Sequence, residues 1–251
     1  MNIRHGVATV ALVMAPYSAS HALDIGGLIS AGSKAVQAAT LSDAEIKTLS
    51  DQACAASDKE SKLAKPGSKY DARLQKLAKP LGGSLNGQRP NFKVYMASDV
   101  NAWAMANGCI RVYSGLMDMM TDDELQGVIG HEMGHVALGH SKKAMQTAYT
   151  VSAARDAAAA AGGNTVAALS ASQLGDLTEK FVNAQFSQSQ ESSADDYAFD
   201  LLKAKKLNTR GLVTAFEKLA KLDGGQSDMM SSHPSSSKRA KHMEERIAAG
   251  K

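Results

Sequence analysis

His131-Glu132-Met133-Gly134-His135 is the stretch from which the rest of the chain can be read. On an α-helix, residues i and i+4 lie on one face a turn apart. His131 and His135 can therefore offer two imidazole nitrogens to one Zn²⁺ while Glu132 flanks the ion as general base. The helix itself is legible around the motif. Thr121 and Glu124 have the spacing of a capping box, and Leu125, Val128, Ile129, Met133 and Val136 recur at helical spacing after it. The pattern predicts metal-assisted hydrolysis of peptide bonds. Two histidines merely packed on a helix face would leave two rings and a carboxylate needing partners in the core.

Catalytic zinc takes three protein ligands and keeps one position for water, so a further ligand has to come from elsewhere in the chain. The metzincin extension of the motif needs Gly at 138 and His at 141, where this chain has Leu138 and Ser141. His140 follows His131 by nine residues, which on a continuing helix turns it away from the metal as a solvated or second-layer histidine. The remaining candidate lies in Glu191-Ser192-Ser193-Ala194-Asp195-Asp196-Tyr197-Ala198, on a helical pattern expected to run from about Leu177 to Leu202. Glu191 and Asp195 again stand at i and i+4, so one can ligate while the other accepts the second N–H of a ligating histidine. Clustered carboxylates are also what a solvated helix face looks like, and the residues alone leave both readings open.

HExxH followed after about sixty residues by ExxADxxA resembles the gluzincin metallopeptidases of the family that contains HtpX and the prenyl-protein protease of eukaryotes. Asn101-Ala102-Trp103-Ala104 with Gly108 to Leu116 is similar to that family's strand segment before the zinc helix, and His233-Pro234 with Arg239 to its His-Pro-x-x-x-x-Arg element. The whole chain after its leader resembles the family's small bacterial envelope members. The resemblance implies a zincin-type domain with one Zn²⁺ held by His131, His135 and Glu191, and with Asp195 supporting a ligating histidine. It also implies that His233 stabilises the oxyanion, and that Arg239 and the run Asn101, Ala102, Trp103 and Ala104 support the site or the substrate. Without it, His233 reads as an exposed histidine in a Ser-rich turn and Arg239 as half of a surface ion pair.

The implied substrates are unfolded or misfolded envelope proteins. The competing class is a periplasmic chaperone-like binding protein with a structural zinc site. Glu132 stands against that class, because a structural site needs no general base and closes all four positions with protein ligands.

Met1 to Ala22 has the order of a Sec signal peptide: Arg4 and His5, an apolar run from Val7 to Ala15, then Ser20-His21-Ala22. The run is too short to span a bilayer. The mature chain is expected to begin near Leu23 in the periplasm, with residues 23–40 as a tether or docking segment and residues 41–251 as the peptidase domain. Lipoprotein members of the family are acylated on a cysteine at the cleavage site, whereas Cys54 and Cys109 are the only cysteines here. A soluble periplasmic enzyme is therefore expected, with peripheral membrane or envelope-protein association as the alternative. In an oxidising compartment Cys54 and Cys109 pair and close a loop of about 55 residues, adding roughly 4 kcal/mol in the chain-entropy model. Two separately buried thiols would be the reading if the leader were absent.

A chain of 251 residues with 44% hydrophobic content can bury one substantial core, and a formal charge of +3 gives no electrostatic case for nucleic acid. The fold class expected is α+β and mainly helical, with a small antiparallel sheet beside the zinc-binding helix. Its strands are Phe92–Met96, Ala102–Met105 and Cys109–Tyr113, the last two joined through Asn107-Gly108. Ser42 and Glu45 open a helix to about Ala64, and Tyr70–Lys79 forms another. Trp103 is expected to be a packing aromatic, on a strand forming an exposed edge to which a peptide could add. The alanine-rich run Val151–Gly163 reads as a packed helix ending in a turn, with a cleft lid as the alternative.

Overall fold

The computed structural model describes residues 41–156, 169–222, 232–233 and 236–250. The expected leader (1–22), the tether (23–40) and the Gly162-Gly163 turn lie outside the described residues.

Both capping boxes form. Ser42 and Thr121 accept from the backbone N–H of Glu45 and Glu124, whose carboxylates reach back to the cap residues, and these open α1 (Asp43–Glu60) and α4 (Asp122–Ala137). Each such cap stabilises by about 1 kcal/mol. α1 stops short of Ala64 because the chain leaves the helix to line the sheet: Ala64 N–H donates to Val94 O (3.0 Å) and Met96 N–H to Lys62 O (2.7 Å). α2 (Lys69–Leu81) then leads to the strands.

The three strands are β1 (Asn91–Tyr95), β2 (Ala102–Ala104) and β3 (Cys109–Tyr113), in the spatial order β1-β3-β2. β2 and β3 form the expected antiparallel hairpin, turning at Gly108, whose φ of +79° favours glycine. β1, however, pairs with β3 in parallel, Asn91 opposite Cys109 through Tyr95 opposite Tyr113, so the sheet is mixed and the expectation of a purely antiparallel sheet was wrong. The order of the strands is the reason. Residues 96–101 carry the chain past the neighbouring position, β2 returns at the far edge, and β3 enters between them in the direction of β1. β2 with its two loops thus serves as the crossover that a parallel pair needs.

The sheet is covered on both faces. Val94, Ala102, Ala104, Ile110 and Val112 join the larger core with α2, α4 and the helices α7 (Gln188–Ala204), α8 (Arg210–Ala220) and α9 (Ser236–Ala248). Tyr95, Trp103 and Cys109 face the other way, against α1, α5 (His140–Asp156) and α6 (Ala171–Val182). A short α3 (Ser114–Met119) links β3 to α4. Trp103 sits edge-on to Tyr95 and Phe181, at 5.9 and 6.5 Å between ring centres, as a core aromatic. A disulfide joins Cys54 of α1 to Cys109 of β3, as expected, with their Cα atoms 6.6 Å apart.

Two further expectations fail here. β2 is the edge strand, yet Ala102, Trp103 and Ala104 are only 1–4% exposed, because α4 and the start of α5 cover them. The pattern from Leu177 to Leu202 is two helices, since α6 ends at Val182 and Ser187 with Gln190 forms a new capping box that starts α7. Among the described residues no helix is long and apolar enough to cross a membrane.

Candidate metal centre

α4 and α7 cross at unusually close range, and small side chains make that possible. A Cβ on Gly134 would lie 2.9 Å from Ala194 O, and one on Gly130 would meet the Ala198 methyl at 3.4 Å. Ala194 and Ala198 are fully buried there. In ExxADxxA the alanines at i+3 and i+7 share a face with Glu191 and Asp195, so the alanines let the helices touch and the carboxylates arrive beside the α4 histidines. A larger residue at Gly134 would push the acidic helix off the site.

The donor atoms converge as a result. His131 Nε2 lies 2.9 Å from His135 Nε2, and Glu191 reaches them at 3.6 Å (Oε2 to His131) and 3.3 Å (Oε1 to His135). His233 joins them: its Nδ1 is 2.9 Å from Glu191 Oε1 and 3.3 Å from His131 Nε2. One ligand atom from each of the four residues lies within 4.8 Å of the others. Tetrahedral ligands about 2.1 Å from a zinc ion stand roughly 3.4 Å from one another, so the cluster has the size of such a site. The structure therefore makes His233 a fourth donor of the cluster, a place that sequence reasoning did not give it.

Charge makes the same point. Glu132, Glu191 and Asp195, all nearly fully buried, set three carboxyl groups against the single guanidinium of Arg239 among the described residues, a carboxylate-rich cluster that suits a cation. Glu132 Oε1 accepts no hydrogen bond, and His233 Nε2 lies 3.7 Å from it. Glu191 Oε2 sits 2.7 Å from Arg239 Nη1 but off the N–H direction, so that contact is an ion pair without a directed hydrogen bond. Burial pushes the Glu132 carboxyl up to about 7, with His233 opposing and Glu191 adding to the rise. Burial acts on Glu191 in the same sense, yet the His233 and His131 charges with hydrogen bonds from His135 and His233 hold it well below the usual carboxylate range. Burial, then the neighbouring His131, drives His135 far below its ordinary value and keeps the ring neutral.

The outer groups hold the donors in place. Asp195 Oδ1 is 2.8 Å from His131 Nδ1, the partnership expected from the sequence, and both Asp195 oxygens accept from Arg239 at 2.7 and 2.8 Å. Arg239 stacks on Phe216 with 4.1 Å from its Cζ to the ring centre, so it is a buried member of the site and no surface ion pair. His140 takes the second-layer place of its two expected readings, but not on the far side of the helix. α4 ends at Ala137, Gly139 turns the chain with φ +75°, and His140 opens α5 with its Nδ1 3.1 Å from His135 Nδ1. The opposite-side argument assumed an unbroken helix; the glycine was the available signal. Phe186, between α6 and α7, was also missed: its ring covers His135 at 3.9 Å between centres. Asn101 and Ala102–Ala104 contribute no side chain to the donor cluster.

A model of peptidase family M48 matches residues 68–247. The chain is 59% identical over 228 residues to the metalloprotease LoiP of Escherichia coli (strain K12), covering 90% of each chain. It is 53% identical over 246 residues to the metalloprotease YcaL of the same organism, 98% of this chain and 96% of the other. Over 54 residues, 20% of this chain and 19% of the relative, it is 41% identical to the protease HtpX of Actinobacillus pleuropneumoniae serotype 5b (strain L20). The crossing of α4 and α7, the donor cluster it builds and these matches lead to one conclusion: the chain belongs to peptidase family M48 and is a metallopeptidase.

Proposed function

We propose that the protein is a zinc-dependent endopeptidase that hydrolyses internal peptide bonds of unfolded or misfolded proteins in the bacterial envelope. The observation that carries the chemistry is the buried, hydrogen-bond-free oxygen of Glu132 beside two imidazoles and a carboxylate that converge at zinc-ligand spacing. In this reading His131, His135 and Glu191 hold the ion. Zn²⁺, when bound, supplies Lewis acidity toward water and the scissile carbonyl. Glu132 takes the proton of the attacking water and delivers it to the leaving amine. His233 donates to the developing oxyanion. Its Nε2 lies 3.7 Å from Glu132 Oε1, beside the same cluster. Asp195, backed by Arg239, keeps His131 oriented.

The envelope assignment is supported by the signal-peptide pattern and by the Cys54–Cys109 disulfide, which belongs to an oxidising compartment. Purified protein is expected to degrade an unfolded casein-type substrate, to stop when a chelator strips the metal, and to recover with added Zn²⁺. Binding without cleavage, whatever the metal, would replace this reading by the chaperone-like one. Capture of bound periplasmic chains by a Glu132→Gln variant, read by mass spectrometry, then identifies substrates.

A further inference from the structure

His131 and His135 each need one ring nitrogen free for the metal, and an imidazole fixes that choice through the hydrogen bond its other nitrogen makes. For His131 the partner is the Asp195 carboxylate. For His135 it is His140, whose Nδ1 stands 3.1 Å from His135 Nδ1. With His135 Nε2 turned into the donor cluster, 2.9 Å from His131 Nε2 and 3.3 Å from Glu191 Oε1, the proton of His135 has to sit on Nδ1. His140 Nδ1 then accepts it, and the His140 proton lies on Nε2. The arrangement is built by the backbone, since the Gly139 turn ends α4 after the second ligand and sets His140 at the start of α5. Phe186 packs against both rings, at 3.9 Å from His135 and 6.5 Å from His140 between centres.

We infer that His140 is a positioning residue: by accepting the Nδ1–H of His135 it holds that imidazole in the tautomer and orientation whose Nε2 meets the metal. The inference rests on the reading of His131, His135 and Glu191 as zinc ligands. It makes the two histidines of the motif unequal in their support, a carboxylate behind the first and a half-buried imidazole behind the second.

Zinc affinity, measured by chelator competition, separates an acceptor from a ring that only fills space. His140→Phe keeps a ring but offers no acceptor, and is expected to weaken zinc binding about 10- to 100-fold, the usual effect of losing a ligand's outer partner. His140→Asn places an amide oxygen where Nδ1 was, and is expected to recover most of the wild-type affinity. Circular dichroism of the metal-free variants checks that each is folded. Long-range ¹H–¹⁵N spectra of the zinc-loaded wild type need no variant, and are expected to show His135 protonated on Nδ1. Wild-type zinc affinity in His140→Phe, failure of His140→Asn to recover affinity, or a His135 proton on Nε2 would each overturn the inference. A wild-type protein that binds no zinc at all would instead overturn the ligand reading, and this inference with it.

Discussion

Among the described residues two arginines are buried, each forked onto an aspartate, and they do different things. Arg111, in the middle of β3, donates from Nε and Nη2 to Asp58 (2.8 and 3.0 Å), from Nη1 to the carbonyls of Asn91 and Ile110 (both 2.9 Å), and from Nη2 to Cys54 Sγ (3.0 Å). Asp58 also accepts from Lys93 and the Tyr95 hydroxyl. No side-chain oxygen in that network is left without a partner. Arg239 is forked onto Asp195 in the same way, but around it lie Glu132 and Glu191, each with a buried oxygen that no hydrogen bond reaches. Buried polar groups in folded proteins are nearly always satisfied, so a closed ion network marks scaffold, while two orphaned carboxylate oxygens beside converging metal-ligand atoms mark a place that takes a cation. Arg111 fastens α1 to the sheet; Arg239 steadies a site that is complete only with a dication.

Removing the guanidinium from the closed network should be the costliest change to stability. Arg111→Ala leaves Asp58 with only Lys93 and the Tyr95 hydroxyl, takes a donor from the Asn91 and Ile110 carbonyls and empties a buried volume, and is expected to lose about 3–5 kcal/mol in chemical unfolding, while zinc affinity per folded molecule stays at the wild-type level. A loss below about 1 kcal/mol would mean that the network is not scaffold. The disulfide beside it should count for nearly as much. Replacing Cys54 and Cys109 together by serine is expected to lower stability by about 4 kcal/mol, again without changing zinc affinity. On the open side the sign of the contrast reverses. Asp195→Asn is expected to weaken zinc binding about 10- to 100-fold, and equal zinc affinity in this variant and wild type would erase the distinction between the two arginines.

The smallest effect is a pH dependence. Burial would raise the Asp58 pKa, but hydrogen bonds from Arg111 and Lys93 hold it below its ordinary value of 3.8. A depressed carboxylate contributes stability above its unfolded pKa and loses it as pH falls through the folded value. Asp58→Asn should therefore flatten the acid side of the stability profile below about pH 4 while lowering stability at neutral pH. An unchanged acid limb would show that Arg111 does not hold this carboxylate down.

Much of the open network was legible in the sequence, and little of the closed one. HExxH and ExxADxxA each carry an i, i+4 pair, and helix periodicity alone tells which side chains share a face. What periodicity cannot tell is where a helix stops. The apolar spacing from Leu177 to Leu202 continues through a break at residues 183–187, and only the Ser187–Gln190 capping box marks it. Gly139 similarly hid the return of His140 toward the metal site. β1 was found as a strand and misjudged in its pairing, since side-chain alternation shows which residues share a face but not which strand lies beside it or in which direction. Arg111 was read as one letter of a strand motif, because a charged residue in a strand ordinarily faces water; here both faces are covered and Asp58, 53 residues away, is its partner.

The central claim is that binding and chemistry are separable here, with His131, His135 and Glu191 holding zinc and Glu132 moving the proton. Zinc content and hydrolysis of an unfolded protein, measured side by side on Glu132→Gln, test it most directly. About one zinc per chain with at least about a 100-fold loss of hydrolysis is the expected result. Wild-type hydrolysis in that variant would contradict the claim, and so would loss of the metal along with the activity.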